Sequence, residues 1–166
     1  MDLQPATFVF EDSGAIPNNP KLPLLYYKGA FEDVTPELIE QPFAANDWGD
    51  SWRASIFPFP HYHAEAHEAL GCFRGTATIR LGGAGGIEQR VQPGDVVVIP
   101  AGVGHENVES TGDFTMVGAY PPGQSPDLQR GEPSERSWAP DAIAKVPLPT
   151  ADPLFGKDGP LMREWR

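Results

Sequence analysis

The sequence predicts an all-β domain, a sandwich or barrel of short strands. Three observations carry that prediction. Between residues 51 and 121 lie six apolar or alternating runs: SWRASIFPFPHYH, EALGCF, TATIRL, IEQRV, DVVVIP and FTMVGAY. Gly and Pro turns separate most of them, which is the spacing of a sandwich or barrel. The 18 glycines and 19 prolines exceed a fifth of the chain and are scattered between apolar runs, as in a turn-rich β domain and unlike a disordered one. One helix candidate precedes the strands, which argues against a parallel βαβ sheet.

The elements follow in order. The first zone, residues 1–50, reads as an extension that packs on the barrel. Its segment LPLLYYKGAF (22–31) predicts a strand ending at a Gly turn. TPELIEQPFAAND (35–47) opens with Thr35 as N-cap, Pro36 at the first helical position and Glu37 in the first turn, so a helix starts there. Leu38 takes the place of the capping-box Glu or Gln, and Pro42 is expected to end or kink the helix. The second zone, 51–121, is the barrel core. Its GGAGG stretch (82–86) reads as a hairpin tip, because it lacks the strand–loop–helix setting of a phosphate loop. The third zone, 122–166, is rich in Pro and charge. One short helix is expected at PDAIAKV (140–146), and the rest should wrap the barrel or fray, with Phe155, Leu161 and Trp165 as anchors. All three zones make one structural domain, since 166 residues can bury roughly 70% of their unfolded surface.

Composition narrows the function classes. A formal net charge of -11 repels phosphate backbones and anionic lipids, so neither nucleic acid nor a membrane is an expected partner. No apolar run reaches the roughly 20 residues of a membrane span. The N-terminal MDLQPATFVFEDSG lacks the pattern of a secretory signal, and Cys72 is the single cysteine, so the cytoplasm is the expected location.

The chemistry concentrates in HYHAEAHE, residues 61–68, which holds three of the four histidines. Alternation along a strand puts His61 and His63 on one face, about 6.8 Å apart, and Tyr62 on the other. Two imidazoles so placed can converge on one cation. If EALGCF is an antiparallel neighbour, Glu68 returns to the same interior face, with Leu70 and Cys72 beside it. A further ligand must come from elsewhere. The remaining histidine, His105, follows GDVVVIPAGVG, whose sharp Pro100–Gly102 turn could carry it back to the barrel mouth.

Together these segments resemble the two motifs of the cupins. His61, His63, Glu68 and Gly75 fit the first motif, with Ser55 in place of its leading glycine. Gly94, Pro100, Gly102 and His105 fit the second, with Glu109 in place of its final Asn. The motifs cover less than a third of the chain. IPNNP near the start, WRASIFPFPHYH entering the site and DPLFGKDGPL near the end are similar to the uncharacterised single-domain YjlB-like cupins. The resemblance implies a cupin double-stranded β-helix, a jelly-roll barrel with a few short peripheral helices, usually a homodimer. It implies one divalent transition metal held by His61, His63, Glu68 and His105.

That donor set suits Fe, Mn, Ni, Co or Zn, and an octahedral ion would keep two positions for water, oxygen or substrate. His67 neighbours Glu68, so in a strand it points away, and it reads as a loop residue or a support for the ligands. Parity gives a pocket wall of Phe57, Phe59, Leu70 and Cys72, joined by Met116 and Tyr120, the same residues being equally suited to plain barrel core. Arg53, Arg74 and Arg80 are either grips for a substrate carboxylate or surface charges. The functional expectation is a metal-dependent oxidoreductase, a dioxygenase above all, acting on a small organic acid or similar small molecule. The alternatives are a metal-dependent isomerase or lyase without redox change, with Tyr120, Glu65 or His67 as acid or base, and a small-molecule-binding protein without turnover.

Overall fold

Among the residues described by the computed structural model, 3–166, nine antiparallel strands form two sheets that face each other. The strands are β1 (Ala6–Phe8), β2 (Leu24–Tyr27), β3 (Gly49–Ala54), β4 (Glu68–Arg74), β5 (Ala77–Leu81), β6 (Ile87–Val91), β7 (Val96–Ile99), β8 (His105–Ser110) and β9 (Thr115–Tyr120). The larger sheet runs β1-β2-β7-β4-β9-β3 and the smaller runs β6-β5-β8. Their inner faces share one core: Leu24, Leu70, Cys72, Val97 and Met116 from the first meet Ala77, Ile79, Leu81 and Val91 from the second. This is the jelly-roll architecture that the sequence predicts.

The larger sheet is buried on its outer face as well. There Leu25, Tyr27, Ala69, Val96, Val98 and Val117 lie under Ile39 and Phe43 of helix α1 (Pro36–Ala45) and under Leu161 and Trp165. Covering on both faces explains why LLYY and VVVI read as continuous apolar runs rather than as alternation. Helix α1 starts as expected: Leu38 N–H donates to Thr35 Oγ1 at 3.2 Å. Pro42 does not end it. The helix runs on to Ala45, because the carbonyl left without a donor belongs to the exposed Leu38, where water can reach it.

Other expectations need correction. SWRASIFPFPHYH is not one strand. β3 stops at Ala54, since Pro58 and Pro60 supply no ladder N–H, and pairing resumes only at His61 and Tyr62. HENVES, which is not among the six runs, is strand β8. Its register against β5 places His105 opposite Leu81 and Asn107 opposite Ile79, so pairing and not apolar pattern makes it a strand. The 82–86 segment does join β5 to β6 as a hairpin.

The last part of the C-terminal zone covers the larger sheet, while Ala139 and Ile143 pack on Ile16, Tyr62 and Ala64. Helix α2 (Ala139–Lys145) and helix α3 (Pro160–Glu164) are short, and a 3-10 turn spans Pro133–Ser137. Leu161 and Trp165 are buried, and Trp165 Nε1 donates to the Pro23 carbonyl at 2.8 Å. Phe155 remains 39% exposed and leans on the Tyr27 ring. The fixed point of this wrap is Asp152, fully buried. Its carboxylate accepts from the Tyr27 hydroxyl and from the backbone N–H groups of Leu154, Phe155 and Leu161.

Asp152→Ala would leave one buried hydroxyl and three amides without their acceptor. It is expected to cost about 3 kcal/mol of stability, with Asp152→Asn milder, read as the shift of the urea midpoint at unchanged slope. A loss below about 1 kcal/mol would show that the wrap does not depend on this carboxylate.

Candidate metal centre

Two distant segments meet through one backbone pairing. His61 N–H donates to the His105 carbonyl at 3.2 Å, and His105 N–H donates to the His61 carbonyl at 2.9 Å. Residues directly opposite in an antiparallel pair put their side chains on one face, so the two rings lie 4.1 Å apart, centre to centre. Around this pair the chain is pinned twice more: Asn107 N–H donates to the Phe57 carbonyl and Gly102 N–H to the His63 carbonyl. Gly102 sits at φ +91°, and a Cβ there would lie 2.6 Å from the Asn18 carbonyl oxygen, so the Pro-Ala-Gly turn requires glycine.

Each imidazole is aimed by its own hydrogen bond. Nδ1 of His61 faces the Phe59 carbonyl at 3.0 Å, Nδ1 of His105 faces the Val103 carbonyl at 3.1 Å, and Nδ1 of His63 faces the Asp127 carbonyl. A carbonyl only accepts, so each Nδ1 carries the proton and each Nε2 is left to the centre. One nitrogen from each ring lies within 4.8 Å of the others. Glu68 Oε1 lies beside the group, 3.4 Å from Nε2 of both His63 and His105. Glu68 heads β4 opposite Ile99, and Leu70 and Cys72 share its inward parity.

The electrostatics match a cation site. Burial pushes His61 down to about 3, helped by His105 beside it. Burial would also lower His63, but the Glu68 carboxylate outweighs it and lifts His63 to about 9. Burial would raise Glu68, yet His63 and His105 hold it below the usual carboxylate range. An anion fixed among imidazoles with converging lone pairs fits a divalent transition metal, and these four residues could hold one.

The four residues of the centre line a cavity of about 350 Å³, with His61, Glu68 and His105 buried. Phe57, Leu70 and Tyr120 line it, together with Trp52, Ile56, Pro126, Asp127 and Leu128. Phe59 stands behind Phe57, stacked on it at 5.0 Å, with Arg130 over its ring. Cys72 and Met116 do not reach the cavity. Both are fully buried in the core between the sheets, and burial pushes the Cys72 thiol up to about 11. Arg53 and Arg80 are held by surface carboxylates, Glu37 and Glu40 for the first and Glu88 and Glu106 for the second, while Arg74 lies over Phe73. None of the three lines the cavity. Glu65 is exposed.

His67 points away from the centre, fully buried against Trp165. Its Nδ1 accepts from Ala101 N–H at 2.9 Å, so it anchors the turn that carries His105. Burial lowers it to about 4. Two wall residues are invisible to motif reading. Trp52 lies flat over Gly118, where a Cβ would come within 2.2 Å of the ring, and its Nε1 donates to the Tyr120 hydroxyl at 2.6 Å. Asp127 sits in a Pro-rich stretch that reads as linker. It holds His63 with its carbonyl and the Ala64 and Glu65 amides with its carboxylate. For Trp52 the signal was its place in WRASIFPFPHYH; for Asp127 the sequence carries none.

Two outcomes are expected. A metal must displace the His63 proton, which is present below about pH 9. Apparent affinity should therefore rise about tenfold per unit between roughly pH 7 and pH 8, then flatten above His63's own value. Calorimetry in buffers of different ionisation enthalpy should count about one proton released per ion near pH 7.5, and none would contradict the site. Replacing His105 with Ala should weaken Co(II) binding by more than the roughly 10- to 100-fold typical of losing a ligand's supporting hydrogen bond, whereas His67→Ala should stay within that range.

The family described as cupin domain matches residues 54–118. The uncharacterized protein YjlB of Bacillus subtilis (strain 168) is 42% identical over 165 residues, covering 99% of each chain. Among solved structures, acireductone dioxygenase from Bacillus anthracis, with a cadmium ion in its active centre, is 15% identical, with a TM-score of 0.46 over 63% of this chain and 82% of that one. RmlC from Streptococcus suis in complex with dTDP-D-xylose is 13% identical, with a TM-score of 0.38 over 100% of this chain and 95% of that one. With both motifs inside the matched span and the identity to YjlB running nearly end to end, the chain belongs to the cupins, in the group that includes YjlB.

Proposed function

We propose that this cupin is a metal-dependent oxidoreductase, in its simplest form a dioxygenase, acting on a small organic acid or a similar small molecule. The observation that supports it most is the aim of three imidazoles, each locked through Nδ1, beside Glu68 in the wall of a small cavity. His61, His63, His105 and Glu68 would hold the ion. Iron or manganese bound there would supply redox and Lewis-acid chemistry. Four protein donors leave two places in a six-coordinate shell, which separates such a centre from a closed structural site.

The rest of the work falls to the walls. Trp52, Ile56, Phe57 and Leu70 exclude water and confine a ligand's body. Tyr120 accepts from Trp52, which leaves its own O–H to donate toward Glu68 or a ligand oxygen. Burial, with the Glu68 charge adding to it, raises the Tyr120 hydroxyl above the usual phenol range, so it acts as a donor at neutral pH. That hydroxyl also favours a second reading, an isomerase or lyase in which Tyr120 handles a proton and no electron leaves the substrate.

Protein freed of metal and reloaded separately with Fe(II), Mn(II) and Zn(II) should consume oxygen with a small-acid panel in the iron or manganese form and not in the zinc form. Equal turnover with zinc, or product formed without oxygen, would replace the oxidoreductase with the isomerase or lyase.

A further inference from the structure

We infer that the cavity selects a small monoanion, a carboxylate or enolate, that carries one aromatic or branched apolar body, and that it discriminates against dianions. This rests on the metal-centred reading above and narrows its substrate. Three observations carry it.

The first is charge. The ionisable side chains lining the cavity are His61, His63, His105, Glu68, Tyr120 and Asp127, with no Lys or Arg among them. Arg53 and Arg80 are spent on surface carboxylates, and Arg130 covers Phe59 outside the cavity. A divalent ion with Glu68 carries a net +1, which one anionic group neutralises. A second anionic group would lie against apolar walls, and a buried charge without a partner is strongly disfavoured.

The second is surface. Phe57 is 50% exposed and Leu128 47%, and both line the mouth of this cavity. Phe57 is not loose: it stacks on Phe59 within 11° of parallel and meets the His61 ring edge-on. A rigid apolar face held in water beside a reactive centre gains most when a ligand covers it.

The third is size. About 350 Å³ stands at the low end of ligand sites, enough for one ring and a short polar head and too little for a nucleotide-linked sugar.

The test uses Co(II)-loaded full-length protein, with loading read from the cobalt visible spectrum and binding from its perturbation and from Trp fluorescence. Mandelate, glycolate and 4-carboxymandelate are titrated in parallel; the second lacks the apolar body and the third adds one charge to it. Mandelate should bind at least about tenfold more tightly than either of the others. Phe57→Ala should weaken mandelate about five- to tenfold and leave glycolate unchanged, with Leu128→Ala as a second, smaller truncation of the same mouth. Glycolate binding as tightly as mandelate, 4-carboxymandelate binding as tightly or more so, or both truncations weakening glycolate and mandelate alike would overturn the inference while leaving the metal centre intact. Protein that shows no cobalt spectrum would overturn the metal centre and this inference with it.

Discussion

The site depends on a pairing two residues wide. His61 and His105 exchange both backbone hydrogen bonds, and that exchange joins a Pro-broken segment to the free edge of β8. Without it the two motifs would sit on separate parts of the chain, and three imidazoles would not share a centre. Once the pair is in register, geometry does the rest: opposite residues share a face, and His63, two positions on, shares it too. The Pro-Ala-Gly turn and the Gly102 bond to His63 close the same loop from the other side.

Much of this was legible because side-chain alternation is strict. Parity alone separated His61 and His63 from Tyr62, which lies in a different cluster with its hydroxyl on Glu135. Parity also set Glu68 inward with Leu70 and Cys72, and His67 the other way. The strand runs of the larger sheet were plain, because burial on both faces leaves unbroken apolar stretches. Helix α1 announced itself through Thr35 and Pro36, whose effects are local and need no tertiary partner.

What was not legible has a common cause: it is decided by the partner and not by the segment. β8 is mostly polar and, beyond the buried His105, grows steadily more exposed, and its ladder to β5 makes it a strand. Pro42 is tolerated because the carbonyl it deprives faces solvent. Cys72 and Met116 have the parity of a pocket wall, yet they sit too far along their strands and fall into the core beneath it. Arg53 and Arg80, two of the three arginines that suggested a carboxylate grip, are held outside the cavity by acidic neighbours on other elements. Asp127 lies 64 positions from His63, and nothing near it in sequence points to that contact.

The three acceptors that aim the imidazoles are main-chain carbonyls, those of Phe59, Val103 and Asp127. Their presence does not depend on which side chains those residues carry. The aim of the metal-facing nitrogens is therefore written in the path of the chain, and the wall of the cavity is written in side chains, sometimes on neighbouring residues. The two can change independently. A substitution at the mouth alters what fits without turning an imidazole, so this arrangement lets the cavity be reshaped for a different small molecule while the three rings keep their aim.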